Sequence, residues 1–430
     1  MYIHHFLVIE KNKILQRLSY RLCNSKKKYD ICILFLEKME SLYKTHQYLL
    51  ENNHTSVRRQ LMDKINWEDR LIGIKGSRGV GKTSFLIDYA KENFQPTDRQ
   101  CLYVNLNNFY FTVKTLKDFA NEFQMKGGKV LLIDQIFKYP EWWTELAYCY
   151  ENFPDLKIVF TASSVIDFEN SIYNLADKVS VYNLRGFSFR EYLEQETGFQ
   201  FSSYSLEDIL ERHIEIATDI CLKIRPLAHL DGYLRYGFYP FYLEKRNFSE
   251  NLLKTMNMML EIDVLNVNQM EQSYLPRIRK LFYLLSLLAP GSVNVSRLSH
   301  EVEISRATVM NYIKYLKDAR LINLLYPTEE IFPKKPAQVY VHNPNLVHIS
   351  RQINGPDQTL RETFFYNQIH KDYKVNLGIN NTRFLVDSKY HFNVGDKIKG
   401  KFNPDVYYVI DGIETGERKV IPLWLFGFLY

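Results

Sequence analysis

The chain has 430 residues, 46% of them hydrophobic and 24% charged, with a net charge of +6. That length exceeds one ordinary core and points to two or three domains, and the balance excludes a disordered or fibrous chain. The mildly basic charge permits nucleic acid as a partner without demanding it. No apolar run is long enough to span a bilayer, so no membrane role is expected. The five cysteines include no C-x-x-C pair, which fits a reducing cytoplasm and argues against a zinc site.

Residues 1–38 have scattered charge, no small-residue cleavage site and no domain-like pattern. The expectation is that Met39 is the natural start or that this extension packs poorly. From Met39, "MESLYKTHQYLLENN" reads as an amphipathic helix, and residues 39–63 form a first helical segment. Then come short apolar strands: "RLIGI", "CLYVNL", "KVLLID", "KIVFTA" and "KVSVYNL". Helical stretches alternate with them, which predicts a parallel sheet covered on both faces over 64–188. Residues 189–275 read as helical, with Tyr- and Leu-rich stripes. Residues 276–332 have the rhythm of three short helices followed by strands. From Pro333 to the end, "AQVYVH", "TRFLVD", "KYHFNV" and "DVYYVI" read as strands of a small α/β domain.

The first chemical signal is "GIKGSRGVGKTSF". Gly76, Ser77, Arg78, Gly79, Val80, Gly81, Lys82 and Thr83 satisfy G-x-x-x-x-G-K-[ST] in full, with a strand before and an apolar-faced helix after. Glycines let backbone N–H groups converge on phosphate oxygens, and the helix start adds favourable partial charge. With Ser84, these residues are the candidate ATP contacts. Lys82 is expected to neutralise the β- and γ-phosphates and Thr83 to ligate Mg²⁺. Asp134 ends the strand "KVLLID" and is the second expected Mg²⁺ partner.

The order of strands resembles the NTPase class in which an additional strand lies between the cradle strand and the Asp strand. In that class a polar residue at the additional strand's tip senses the γ-phosphate, the place of Ser163 or Ser164 here. The class normally has Glu after the Asp to polarise the attacking water. This chain has Gln135. An amide accepts no proton at neutral pH, although its carbonyl can orient water. General-base catalysis is typically worth a factor of about 10²–10⁴, so tight ATP binding with slow turnover is expected. Glu141, Glu145 and Asp155 are the substitute carboxylates to check. Arg185 and Arg190, in "NLRGFSFREYLE", are candidates to reach the γ-phosphate, in cis or across a subunit interface if the chain oligomerises; the alternative is a salt bridge or helix-start contact.

The cradle, "LLIDQIFKYP", "IVFTASSV" and "NLRGFSFREYLE", in this order, resemble the prokaryotic AAA-superfamily ATPases that carry a C-terminal domain of unknown function, in the Bacteroides-type branch. "YGFYPFYLE", "LRETFFYNQI" and "IPLWLFGFLY" extend the resemblance, which covers about residues 39–430. It implies an ATPase core at 64–188. The wider family more often has Asp-Glu at the positions of Asp134 and Gln135, so its hydrolytic activity does not carry over directly.

Residues 276–332 read as a winged helix-turn-helix, with Ser305 as N-cap of "RATVMNYIKYLKDA". Val309, Tyr312, Ile313 and Leu316 face inward, leaving Arg306, Asn311 and Lys314 as candidate DNA contacts. The alternative is a lid or protein-docking module with a solvated basic face. The C-terminal region, 333–430, resembles a restriction-nuclease fold. An active form needs clustered carboxylates for Mg²⁺ and a Lys beside them. Glu362 and Asp387 match two places, but Asn393 stands where a Glu is required and Lys397 is displaced. A degenerate, inactive domain is therefore expected, with Glu362 in a surface salt bridge. The terminal "PLWLFGFLY" is expected to be buried. The combined expectation is an ATP–Mg²⁺ binding switch with slow hydrolysis and a DNA or protein partner, or alternatively a DNA-binding regulator or defence factor in which ATP is a structural or allosteric ligand.

Overall fold

The computed structural model describes residues 27–53, 57–169, 175, 177–266, 268–328, 330–350 and 357–430. The first 26 residues of the N-terminal extension lie outside the described residues. The chain divides into two compact units, one running through Asn53 and resuming over Leu86–Val159, the other comprising His54–Phe85 and Phe160–Tyr430.

Five strands form the first sheet: β1 (Leu71–Gly76), β2 (Cys101–Asn105), β3 (Val130–Asp134), β4 (Lys157–Ser163) and β5 (Ser180–Asn183). Their order is β2-β3-β4-β1-β5, so β4 is the additional strand expected from sequence. The β2–β3 and β1–β5 pairs are parallel, with Asn105 opposite Asp134 and Lys75 opposite Asn183. All five residues of β3 are buried, as the continuous apolar run of a sheet covered on both faces requires.

In the first unit, α1 spans Lys27–Asn52, beginning before Met39. Met39, Leu42, His46 and Leu50 form its buried stripe. The imidazole belongs there because its Nδ1 accepts the Tyr103 N–H at 3.1 Å, on β2. The next helix, α2 (Lys82–Asn93), has its first turn in the second unit and continues in the first. Thr115 caps α3 (Leu116–Met125) by accepting from the Asp118 N–H, and α4 (Trp142–Asn152) completes the first unit's helices.

In the second unit, Ser188 and Glu191 form a capping box at the start of α5 (Phe189–Thr197). Helix α6 (Leu206–Cys221) starts with a similar box from Ser205 and Asp208. A π-helical turn, Tyr233–Gly237, widens the backbone, and Asn345 satisfies it. The Asn345 side-chain amide donates to the carbonyls of Tyr233 and Leu234, and its oxygen accepts the Phe238 N–H. Helix α7 (Phe248–Met258) runs directly into a second π-helical segment, Met259–Asn266. Three helices follow, α8 (Leu275–Leu288), α9 (Val295–Val302) and α10 (Arg306–Asp318). Strands β6 (Ile322–Leu325) and β7 (Gln338–Val341) then pair antiparallel.

The last region packs α11 (Gln358–Ile369) on a mixed sheet of β8 (Val375–Leu377), β9 (Phe384–Val386), β10 (Tyr390–Gly395), β11 (Val406–Ile410) and β12 (Val420–Pro422), in order β12-β11-β10-β9-β8. Phe365 of α11 meets Phe384, Phe392 and Phe426 at centroid distances of 5.2, 5.2 and 4.9 Å. Each fully buried ring contributes about 1.5–3 kcal/mol. Leu423 to Tyr430 are all buried, so the apolar tail is core, as expected. Glu362 differs from expectation. It is 5% exposed, not on the surface, and its carboxylate accepts from Arg383, Tyr340 and Gln358. The helix that carries it lies under the sheet, so the charge needs those three donors.

Candidate nucleotide site

The loop after β1 has the backbone that the glycine pattern predicts. A side chain at Gly76 is excluded, because its Cβ would stand 2.4 Å from the Leu184 carbonyl oxygen. Gly81 has φ of 91°, a region that side-chain-bearing residues rarely adopt. The Phe85 N–H then donates to the Gly81 carbonyl at 2.9 Å, opening α2. The Lys82 ammonium donates to the carbonyls of Gly76 and Ser77, each at 2.7 Å. Ser77 and Val80 are buried, Thr83 is exposed and Ser84 is half-buried.

Several residues given no site role from sequence hold this loop. Arg59 donates to the Val80 carbonyl at 3.0 Å and to the Arg185 and Gly186 carbonyls at 2.6 and 3.2 Å. Its Nε pairs with Glu191 at 3.1 Å. The rings of Tyr239 and Phe241 lie against Gly79, and Pro240 lies against Gly81. These three follow the π-helical turn that Asn345 secures. The Tyr239 hydroxyl also accepts from the Asn343 amide at 3.2 Å.

One carboxylate joins two predicted site residues. Arg78 Nε donates to Asp263 Oδ2 at 2.7 Å, and the Ser163 hydroxyl donates to Asp263 Oδ1 at 2.8 Å. Asp263 is 2% exposed and lies in the π-helical segment Met259–Asn266. The only sequence signal for it is its place, with Glu261, as one of two carboxylates inside the largely apolar run "MMLEIDVLN". The neighbouring Ser164 hydroxyl donates to the Asp318 carbonyl at 2.9 Å, at the end of α10.

In the first unit, Asp134 ends β3 and is 2% exposed. Its Oδ2 accepts from the Tyr103 hydroxyl at 2.9 Å, and its Oδ1 from the Gln135 N–H at 3.1 Å. Burial, then the Asp134 charge, pushes the Tyr103 hydroxyl well above its usual range, so it stays a donor. Gln135 has φ of 57°, in the left-handed region. Glu145 accepts from the Tyr139 hydroxyl and the Lys117 N–H at 3.1 and 3.0 Å. Glu141 and Asp155 are exposed.

The two candidate arginines differ in their surroundings. Arg190 is buried in an ion pair with Glu194 at 2.7 Å and also donates to the Tyr430 carbonyl. The Arg185 guanidinium meets the His370 ring. On α10, Arg306 and Asn311 are exposed, while Lys314 pairs with Asp318 at 2.9 Å. In the C-terminal region, Asp387 is exposed in a left-handed turn and accepts the Lys374 N–H. Asn393 accepts the Arg383 N–H, and Lys397 is exposed. Among the described residues, no three His, Cys, Asp or Glu are grouped to hold a metal.

Comparison with known proteins finds two family matches and a few distant relatives. Residues 68–193 match the family model of an AAA domain, and residues 227–352 match a domain of unknown function (DUF8612). An uncharacterized protein of Methanocaldococcus jannaschii, MJ1637, is 25% identical over 288 residues, which cover 63% of this chain and 60% of that protein. This chain thus spans less than two thirds of that relative. Among solved structures, C. elegans PCH-2 is 17% identical, covers 66% of each chain and has a TM-score of 0.23. The S. cerevisiae Hsp104–ADP complex is 14% identical, covers 77% of this chain and 54% of its own, and has a TM-score of 0.23. The glycine loop and the strand that ends in Asp134 both fall inside the stretch that matches an AAA domain, residues 68–193, and Asp263 falls inside the stretch that matches the domain of unknown function, residues 227–352.

Proposed function

We propose that the chain binds ATP with Mg²⁺, hydrolyses it slowly, and uses the bound nucleotide as a conformational switch. The observation that carries this reading is the Arg78–Asp263–Ser163 bridge, which ties the phosphate loop and the tip of β4 to a segment of the domain of unknown function. The residues present fit a triphosphate. Gly79 and Gly81 have φ of 79° and 91°, α2 begins at Lys82, and its ammonium lies on the loop. Gly76 to Ser84 would hold the phosphates, with Thr83 and Asp134 as the Mg²⁺ partners. The metal, when bound, neutralises phosphate charge.

Slow hydrolysis rests on Gln135. Its carbonyl can orient water but takes no proton, and Glu145 is already engaged by two donors. The switch rests on Asp263. A γ-phosphate competes with its carboxylate for Arg78 and Ser163, so binding loosens the hold on Met259–Asn266 and, through α7 to α10, resets residues 276–430 for a partner. Residues 276–332 act in this reading as a winged helix, and 333–430 as a degenerate nuclease-like scaffold.

The decisive experiment measures ATP affinity and turnover together for the wild type, Gln135→Glu and Lys82→Ala. Tight binding with little turnover, accelerated about 10²-fold or more by Gln135→Glu, is expected. An ordinary rate in the wild type that Gln135→Glu leaves unchanged defeats the slow-hydrolysis reading. Asp263→Asn tests the switch: ATP affinity should rise about tenfold, since one competing charge is removed. Unchanged affinity would leave Asp263 a purely structural anchor.

A further inference from the structure

A cavity of about 90 Å³ lies at the ends of β1 and β5 in the second unit, several times the room one water needs. Gly76 and Ser77 form part of its wall, and Arg185, Arg320 and Lys371 all line it. Among the described residues that line it there is no Asp or Glu.

The charge there is poorly compensated. Arg185 Nη2 stands 3.1 Å from His370 Nε2. His370 Nδ1 is 2.8 Å from the Tyr366 carbonyl, which only accepts, so Nδ1 carries the proton and Nε2 receives the Arg185 N–H. The imidazole is therefore neutral and supplies no negative charge. Arg185 Nη1 is buried with no hydrogen-bond partner among the described residues. The Arg320 guanidinium has no hydrogen bond or ion pair among the described residues, and burial, reinforced by Arg185 and only partly opposed by Asp318, pushes its pKa down to about 10. Arg320 also sits at φ of 61°, at the turn between α10 and β6. Lys371 has only the exposed-side Asp372 carboxylate at 3.6 Å and the Tyr430 ring at 4.5 Å. His342, the fifth ionisable group of the lining, is buried and held neutral by burial and by the same arginines.

Holding like charges together out of water with little compensation is unfavourable unless an anion joins them. We propose that this cavity is an oxyanion site that takes a phosphate group, held by Arg185, Arg320 and Lys371. A phosphate brings close to two negative charges and several acceptor oxygens, where a carboxylate brings one charge. Guanidinium forks match its geometry. The phosphate is either inorganic phosphate or a phosphate of the nucleotide on the loop that starts at Gly76; the second source rests on the nucleotide reading above, the first does not.

The test titrates inorganic phosphate and, separately, ATP into the full chain by calorimetry. The wild type, Lys82→Ala, Arg320→Gln and Lys371→Gln are compared, each checked for folding by circular dichroism. Phosphate binding that survives Lys82→Ala and weakens about tenfold in Arg320→Gln identifies a free-phosphate site. ATP affinity that weakens about tenfold in Arg320→Gln, with no binding of free phosphate, identifies the nucleotide as the source. If the wild type binds no ATP yet titrates phosphate in an Arg320-dependent way, the nucleotide reading fails and the cavity stands. The proposal is overturned if neither titrant's affinity changes more than about twofold in both Arg320→Gln and Lys371→Gln, or if the wild type binds neither. Lys371→Gln, at a more accessible position, keeps the test alive should Arg320→Gln not fold.

Discussion

Two groups of cations lie in the second unit, one buried and one half-buried, and they are treated oppositely. Arg59 and Arg190 face Glu191 and Glu194. Burial pushes the Glu191 carboxyl up, but Arg59 and Arg190 outweigh it and hold it below the usual carboxylate range. Arg59 spends its remaining donors on the Val80, Arg185 and Gly186 carbonyls. Arg185, Arg320 and Lys371 face a cavity instead. Cations paired with buried carboxylates fix a backbone. Cations with little compensating charge around a space are poised for a ligand, at a cost in stability. The contrast separates a brace for the phosphate loop from a binding site beside it.

The largest effect should come from breaking the brace. Arg59→Ala leaves Glu191 buried without its main partner and frees three carbonyls, so stability should fall by about 3–5 kcal/mol. Urea denaturation measures it. A loss under about 1 kcal/mol would place this cluster with ordinary surface pairs and erase the contrast. A smaller effect is expected from the cavity's own charge. Burial pushes the Lys371 pKa from the usual 10.5 to about 8; Asp372 and Glu191 oppose the shift, and Lys64 and Arg185 add to it. Between those values the unfolded chain binds more protons than the folded one, so Lys371's contribution makes stability rise with pH from about 8 to 10.5, by at most about 3 kcal/mol. Saturating phosphate should flatten that rise by favouring the charged amine. Comparing urea midpoints of the wild type and Lys371→Gln across the window reads this out, and parallel curves would refute it.

What could be read in the sequence tracks how local the cause is. Eight consecutive residues specify the phosphate loop, because its glycines answer to backbone sterics within the loop itself. Strands β1 to β4 are largely apolar runs and were equally legible, as were the more polar β5, the β6–β7 pair and β9 to β11. Asp263 was not, because it meets Arg78 from 185 positions away. Arg59 reaches Glu191 across 132 positions. Neither spacing leaves a periodic trace. Arg190 and Arg185 looked interchangeable in "NLRGFSFRE", and only the fold turns one into a helix to meet Glu194 and the other toward His370. Glu362 looked like a surface residue because its own helix gives no sign that a sheet covers it. The π-helical turns at Tyr233 and Met259 were also invisible, since their extra backbone width is stabilised from outside, the first by Asn345.

The smallest expected effect is the most discriminating. Arg320→Gln removes a guanidinium with no hydrogen bond or ion pair among the described residues; it relieves repulsion from Arg185 and gives up a weaker attraction to Asp318. Without ligand, stability should change by no more than about 1 kcal/mol, and in the stabilising direction, because the lost charge costs more buried than it returns. The left-handed backbone at this position is not a confounder, since Gln and Arg meet the same steric limits there. With saturating phosphate the sign should reverse. The wild type then gains binding free energy that the variant lacks, at RT ln(1 + [L]/Kd). A thermal melt of both proteins, with and without phosphate, shows the crossing directly. A variant destabilised to the same extent in both conditions would mean that Arg320 belongs with Arg59 as a structural cation, and the distinction between brace and site would collapse to a difference in packing.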